Sequence, residues 1–443
     1  TSLEDFFAAA TPGRLVIAGA PEGHDAFVLG GLPARGIVPV LLHVCRDDGR
    51  MARLRAALGF FHPGVEVLTL PAWDCLPYDR VSPNAEIVSR RIATLTRLAG
   101  GGAPAPSIVL TTVNAIVQRL PPRAIFADRV LRLGVGGRLP LDLLVSFLGS
   151  NGYLRTDTVR EPGDFALRGG IVDLFPAGAA APVRLDFFGD TLETIRLFAP
   201  LTPRRTAPCP PVVLRPVSEV LLDERAIQRF RSRYREQFGT VADDDALYEA
   251  VSAGQRYIGM EHWLPLYYET LETVFDYLPG AAVTLDPQAE EVRTDRLAAI
   301  ADFYAARRGV GRMAQGGGPV YRPIEPAQLY LDEAEWQGAL ARRQVGELTP
   351  FAARVDQPLV FDAGARAGVD FSAARTNPQV NLFDAVRDQI GAEAQAGHRV
   401  LLAAYSAGSA ERLKALLQDH GVAEAAAVES WEGFAALPPR SVG

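Results

Sequence analysis

The sequence is short of lysine. Its basic residues are almost all arginine, and Lys414 is the single lysine in 443 residues. That scarcity bears on phosphate chemistry, because the phosphate loops of nucleotide hydrolases set a lysine against the β- and γ-phosphates. Cysteine is nearly as scarce. Cys45, Cys75 and Cys209 stand far apart, with no CxxC and no Cys/His ligand spacing. Neither a disulfide framework nor a zinc site is indicated, and the pattern fits buried thiols in a reducing, cytoplasmic setting. No apolar run approaches the length of a membrane span and no signal peptide opens the chain, so no membrane partner is expected. Internal repeats and low-complexity tracts are also missing. The net charge of −7 argues against attachment to DNA or anionic membrane through bulk charge, and allows weak, salt-sensitive DNA binding at most.

What is present is core material. Hydrophobic residues make up 48% of the chain, enough for several cores, and the length suggests roughly three domains at ~150 residues each. The chain opens at Thr1 without Met and stops at Gly443 without a closing element, as a piece of something longer or a processed N-terminus would.

Residues 1–120 read as α/β. Arg14–Ala18, Ile37–Val44, Val65–Leu70 and Ser107–Val113 are apolar runs of strand length, separated by helical patterns that include Arg50–Leu58. Ser82 as N-cap, Pro83 at the first helical position and Gly100 past the end mark a helix striped by Val88, Ile92, Leu95 and Leu98. Alternating strands and helices predict a mostly parallel, doubly wound sheet. Residues 121–207 change character after Pro121-Pro122: short strands flank one helix, Pro140–Gly149. Residues 208–345 return to α/β, with helices over Asp223–Phe238 and Asp243–Ala253, an aromatic run Met260–Tyr268, a strand Ala281–Leu285, and a Gly316–Gly318 loop. Residues 350–443 form their own α/β unit, with a strand Arg399–Tyr405 and a helix capped by Ser409 and ended by Gly421.

The most telling stretch is Val159–Phe198. Phe188-Gly189-Asp190-Thr191 is a hairpin turn with Gly-Asp at its tip. Period-2 alternation puts Val183, Leu185 and Phe187 on one face and Arg184, Asp186 and Phe188 on the other. Arginine with an exposed aromatic is the composition of a protein–protein hot spot. The competing reading covers Phe188 with a neighbouring element and pairs Arg184 with Asp186 or Asp173. Charge from Gly152 to Arg205 is balanced, which suits a protein partner better than a phosphate backbone.

Two places mimic nucleotide chemistry without its parts. Gly19-Ala-Pro-Glu-Gly23-His24-Asp25 sits where a P-loop would sit, but its spacing is one residue short. His24 replaces the lysine and Asp25 the Mg²⁺-binding hydroxyl. Asp286-Pro287 ends a strand where a helicase-like domain places its acidic pair, and Pro287 cannot activate water. Ser406–Ser409 is a helix start that reads as a cap. The six histidines are scattered, without ligand or triad spacing. No catalytic residue and no metal site are assigned.

Leu70–Leu95, the Val159–Phe198 stretch, Gly259–Tyr268 and Arg399–Leu413 together resemble the N-terminal part of the bacterial transcription-repair coupling factors, Mfd. The resemblance spans nearly the whole chain in the expected order. It implies a module similar to UvrB: a degenerate, helicase-like (RecA-like) parallel-sheet domain (1–120 and 208–345) interrupted by a small α+β UvrA-binding domain (121–207). A separate small α/β domain (350–443) with no assigned role would follow. The UvrA contacts then fall on Arg168 of FALRG and on Arg184 and Phe188 of RLDFF. The family's ATP- and Mg²⁺-dependent double-stranded-DNA translocase and its RNA polymerase contact belong to C-terminal parts absent here, so no cofactor is expected in this chain. The leading expectation is a catalytically inactive UvrA-recruiting module. The alternatives are an NTP-dependent nucleic-acid motor with a divergent phosphate loop, and a scaffold that only rigidifies or autoinhibits a larger protein.

Overall fold

The structure is a computed structural model. It describes residues 2–9, 11–101, 106–199, 202–208, 211–241, 245–313, 321–352, 359–377, 379–422 and 425–443. Cys209 and the Gly316–Gly318 loop lie outside the described residues. Strands from both ends of the sequence build one parallel sheet. β1 (Gly13–Ala18), β2 (Val40–Cys45), β3 (Glu66–Leu70) and β4 (Ser107–Thr112) come from its first part. The chain then builds a second, smaller sheet from β6 (Leu154–Arg155), β7 (Asp164–Arg168), β8 (Ile171–Leu174), β9 (Val183–Phe188), β10 (Thr191–Ala199) and β11 (Thr202–Pro208), flanked in sequence by the pair β5 (Leu131–Leu133) and β12 (Val212–Leu214). It returns to the first sheet with β13 (Ala282–Leu285), β14 (Gln344–Leu348) and β15 (Val360–Asp362). The seven strands run in the order β15-β1-β14-β13-β2-β4-β3, every neighbouring pair parallel.

Such a sheet buries both faces, which is why its strands read as near-continuous apolar runs. Along β2 and β4 the side chains alternate between two cores. Leu41, Cys45, Ile108 and Leu110 pack under the helices His24–Ala34 and Asp48–Phe61. Leu42, Val44 and Val109 pack with Ile92 and Leu95 of the helix Ala85–Ala99 on the other side.

The smaller sheet has the order β11-β10-β9-β8-β7-β6, antiparallel except for β6–β7. Its inner face, with Val172, Val183, Leu185 and Ile195, closes on Leu144 and Leu148 of the helix Leu141–Ser150. β5 and β12 pair separately, Leu133 opposite Val212. The chain is anchored at its return by a buried ion pair. Arg91 donates to both carboxylate oxygens of Glu219 (2.6 and 3.0 Å) and to the Pro71 carbonyl (2.7 Å), and Trp73 Nε1 donates to Glu219 (2.9 Å).

Several local expectations are corrected. The N-cap of the helix Ala85–Ala99 is Asn84, whose side chain accepts from the Glu86 amide. Ser82 instead donates to Glu261 (2.7 Å) and accepts from Gly259 N–H (2.8 Å), so tertiary partners claimed its hydroxyl. The strand expected at Arg399–Tyr405 reduces to one bridge, Val400 with Val442. The helix after it is Ala407–Asp419, and Ser406 rather than Ser409 is its N-cap, the two closing a capping box. Met260–Leu266 is a 3₁₀ helix with Met260, Trp263 and Leu264 in the core. β15 lies inside 350–443, yet it extends the main sheet rather than the C-terminal unit. That unit has a small core of Ile390, Leu417, Val422 and Val442. Its Trp431 ring meets Phe27 and Phe61 with centres 5.4 and 5.5 Å apart.

Two stability predictions follow from buried polar groups. Glu219→Ala leaves Arg91 buried without its anion, and should lower unfolding free energy by about 3–5 kcal/mol in urea titration. An unchanged urea midpoint would show that the pair does not anchor the return. His43 and His262 are buried, and burial lowers each to about 4 from an ordinary 6.5, with opposing contributions from Asp286 and from a backbone hydrogen bond with Val81 respectively. Between those values the unfolded chain takes up protons that the folded chain refuses. The stability is therefore complete above pH 6.5 and lost as pH falls toward 4, by up to about 1.4 kcal/mol per pH unit for each histidine. Between pH 7.5 and 5.5 a His43→Gln variant should lose less stability than the parent. Equal losses would contradict this account.

Candidate functional site

The face of the smaller sheet that points away from Leu144 and Leu148 carries all three residues singled out for partner contact. Register explains why. In an antiparallel pair, residues directly opposite share a face. Arg168 lies opposite Ile171, Ile171 opposite Asp186, and Asp173 opposite Arg184. Along β9, Arg184, Asp186 and Phe188 alternate with the inward Val183, Leu185 and Phe187. Phe188 is 77% exposed, so among the described residues no neighbouring element covers it, and that half of the competing reading fails. Ile171 adds a second exposed apolar side chain to this face.

The other half of the competing reading holds: Arg184 is paired. Arg184 forms a two-pronged ion pair with Asp173, Nε to Oδ1 at 2.6 Å and Nη2 to Oδ2 at 2.8 Å. Its guanidinium carbon sits 5.4 Å from the centre of the Phe198 ring. The hydrogen bond it donates to Asp173 raises the Arg184 pKa above its ordinary value, so the side chain is a fixed, permanent cation. Pairing does not hide it, because the side chain remains 37% exposed. Arg168, at the end of β7, donates to the Asp157 carbonyl at 2.5 Å. Asp186 accepts from Thr194 Oγ1 at 2.5 Å.

Turn geometry fixes how this face is presented. The two-residue loop Gly189-Asp190 places Gly189 at φ 58°, a conformation suited to glycine at the first position of a hairpin turn. The β7–β8 turn uses Gly169 and Gly170, and Phe187 N–H donates to the Gly170 carbonyl at 2.8 Å. A Cβ on Gly170 would stand 2.6 Å from the Phe187 carbonyl oxygen, so this approach requires glycine.

The phosphate-loop mimic is occupied by its own side chains and carbonyls. Gly19 N–H donates to the Phe351 carbonyl (2.7 Å) and Ala20 N–H to that of Thr349 (3.0 Å). Asp25 accepts from Gly23 N–H (2.9 Å) and Ala26 N–H (2.7 Å). Amides that would cradle a phosphate are thus already donated. His24 Nε2 lies 2.8 Å from the Ala363 carbonyl. Buried Asp25 pairs with buried Arg50, whose Nε donates to Asp286 at 3.0 Å. Arg46 donates to the second Asp286 oxygen at 3.2 Å and pairs with Glu22, which also takes Arg53 at 3.0 Å. The Arg53 hydrogen bond, then Arg46 and Arg50, hold the Glu22 carboxyl down at about 2. The structure therefore joins Asp25 of the first motif to Asp286 of the second through an arginine that sequence reasoning passed over. Its signal was weak: Arg46 and Arg50 stand one helical turn apart at the end of a buried strand.

In space the histidines have more partners than their spacing suggested. His398 meets Glu393 at 2.7 Å, His420 meets Asp384 at 3.0 Å, and His262 Nε2 lies 3.9 Å from Cys75 Sγ. The Cys75–His262 contact is not an activated thiolate. Burial, with Asp74 and Glu261 nearby, pushes the thiol up to about 12, and burial pushes His262 down to about 4, so both stay neutral at pH 7. Among the described residues no three His, Cys, Asp or Glu side chains gather as metal ligands would, and no helix is long and apolar enough to cross a membrane.

Comparison with known proteins agrees with this geometry. Residues 131–219 match the family model described as the UvrB interaction domain, a span that runs from β5 past β12 to the Glu219 anchor. The chain is 34% identical over 292 residues to the transcription-repair-coupling factor of Haemophilus influenzae, covering 66% of this chain and 24% of the relative. It is 34% identical over 299 residues to that of Escherichia coli, covering 67% and 25%. Against the Rickettsia conorii factor it is 27% identical over 382 residues, covering 86% and 32%. The matched region is thus about a quarter to a third of the length of these curated relatives. With a UvrB interaction domain at its centre and these relatives matched over most of its length, the chain belongs to the transcription-repair-coupling factor family, as a counterpart of that family's N-terminal region.

Proposed function

We propose that this chain is the part of a transcription-repair coupling factor that recruits UvrA, and that it does so without catalysis of its own. The observation that carries the reading is the single open face bearing Arg168, Arg184 and Phe188 within the span matched to the UvrB interaction domain. Phe188 offers a large apolar surface that is solvated before contact. Arg184 is held in place by Asp173 and the Phe198 ring, so little side-chain entropy is lost when a partner meets it. An aromatic anchor beside an ordered arginine is the usual core of a contact that carries most of its energy in few residues.

The same reading makes the parallel-sheet body a degenerate helicase-like domain, split around the UvrA-binding unit, with 350–443 as a further domain. The filled phosphate loop and the Asp25–Arg50–Asp286 linkage support inactivity, since polyphosphate would have to displace a buried carboxylate. In a whole factor, ATP hydrolysis, movement on double-stranded DNA and contact with RNA polymerase would belong to other parts, working in the cytoplasm.

Two experiments test this. Arg184→Ala and Phe188→Ala should each weaken UvrA binding by about 2 kcal/mol or more in calorimetric titration, with unchanged circular dichroism, because both side chains lie off the core face. A folded double variant that binds UvrA as the parent does would refute the site. Titration of residues 1–443 with ATP and Mg²⁺ should give no saturable heat. Saturable, Mg²⁺-dependent binding would favour the nucleic-acid motor instead.

A further inference from the structure

A second surface lies where the two sheets meet. β3 is the edge strand of the parallel sheet, and beside it runs an open groove of about 890 Å³ walled by the helix Ala85–Ala99 and by the smaller domain. Five arginines and three glutamates line it, a positive excess in a chain of net charge −7. Glu86 pairs with Arg90, and Glu66 with Arg97 at 3.6 Å. Among the described residues no carboxylate lies within ion-pair distance of Arg55, Arg160 or Arg215. Arg215 is half-buried, and among the described residues its side chain makes one hydrogen bond, a 3.4 Å contact to the Ala177 carbonyl. Burial lowers its pKa, and Arg132 and Arg97 press in the same direction.

The backbone of β3 supplies an independent observation. Glu66 N–H donates to the Pro106 carbonyl at 3.1 Å, so Glu66 and Leu68 turn their peptide groups toward β4. By the alternation of a parallel ladder, those of Val67 and Thr69 turn away, into the groove that both residues line. Thr94 Oγ1 donates to the Thr69 carbonyl at 2.6 Å. The Val67 N–H, the Val67 carbonyl and the Thr69 N–H are left facing the groove. An exposed strand edge of this kind is a template for another strand.

We propose that this groove docks an extended, acidic peptide segment of a protein partner, which adds as a strand beside β3 while its carboxylates meet Arg55, Arg160 and Arg215. Edge-strand addition takes affinity from main-chain hydrogen bonds and selectivity from alternate side chains. Nucleic acid fits less well. A phosphate backbone accepts hydrogen bonds but gives none to the Val67 carbonyl.

The probe is a fluorescein-labelled octapeptide of alternating Glu and Val, titrated by anisotropy into residues 1–443 at low salt. Saturable binding is expected, with amide exchange slowed at Val67 and Thr69. An Arg55→Glu, Arg160→Glu double variant should bind at least tenfold more weakly with unchanged circular dichroism, since both side chains are exposed. Val67→Pro removes an N–H that the ladder does not use, and should cost a similar factor. The peptide N-methylated at alternate residues should also bind at least tenfold more weakly. Absence of saturable binding, indifference to N-methylation, or displacement by an oligo(dT) octamer at equal or lower concentration would overturn the proposal. The last result would reassign the groove to a phosphate ligand.

Discussion

Arg50 is the side chain on which the parallel-sheet body turns. It is almost wholly buried, it belongs to the helix after β2, and it joins Asp25 at the start of one helix to Asp286 at the end of β13. A guanidinium in that position would be costly alone, because desolvating a charge costs several kcal/mol. The carboxylates of Asp25 and Asp286, with Glu22 3.8 Å away, offset the cost, and the arrangement fixes three elements from distant parts of the sequence in one geometry. The site where a phosphate would draw the loop and the strand end together is bridged from within, by charges that need no ligand.

The second constraint is the return of the chain. A domain inserted between β4 and β13 must leave and re-enter without disturbing the sheet, and the Arg91–Glu219 pair marks that junction inside the core. Pro71, Trp73 and Tyr268 converge on the same point, the Tyr268 hydroxyl donating to the Glu219 carbonyl at 2.7 Å. Polar groups here are hydrogen-bonded on several sides, as buried polar networks must be if they are to specify one arrangement. The inserted sheet therefore meets the larger one at a buried, hydrogen-bonded junction, the platform on which it stands.

The platform separates its two faces by register alone. One face is spent on the Leu144–Leu148 helix; the other keeps Phe188 and Ile171 in water beside ordered charges. Nearby, the edge of the larger sheet offers backbone groups and arginines that have no carboxylate or strand partner among the described residues. The first surface is balanced in charge and the second positive, so they suit partners of different chemistry.

Much of this was legible in the sequence. Apolar runs of strand length gave β1, β2, β3, β4 and β13 because a two-faced parallel sheet demands continuous hydrophobicity. Period-2 alternation put Val183, Leu185 and Phe187 inward and Arg184 and Phe188 outward, because the strand geometry leaves no other choice. The misplaced cap at Ser82 has a tertiary cause, since Glu261 and Gly259 take its hydroxyl, whereas the one at Ser409 is a local shift of three residues, Ser409 being the capping-box partner of Ser406. The sequence by itself determined the elements, the inward and outward faces, and the loss of lysine and hydroxyl from the phosphate loop. Only the tertiary structure decided that Arg50 fills that loop, that Phe188 stays uncovered while Arg184 is held by Asp173, and that β3 lies at an edge. Those facts depend on which distant residues meet, and contact across the fold is set by the packing of whole elements rather than by spacing along the chain.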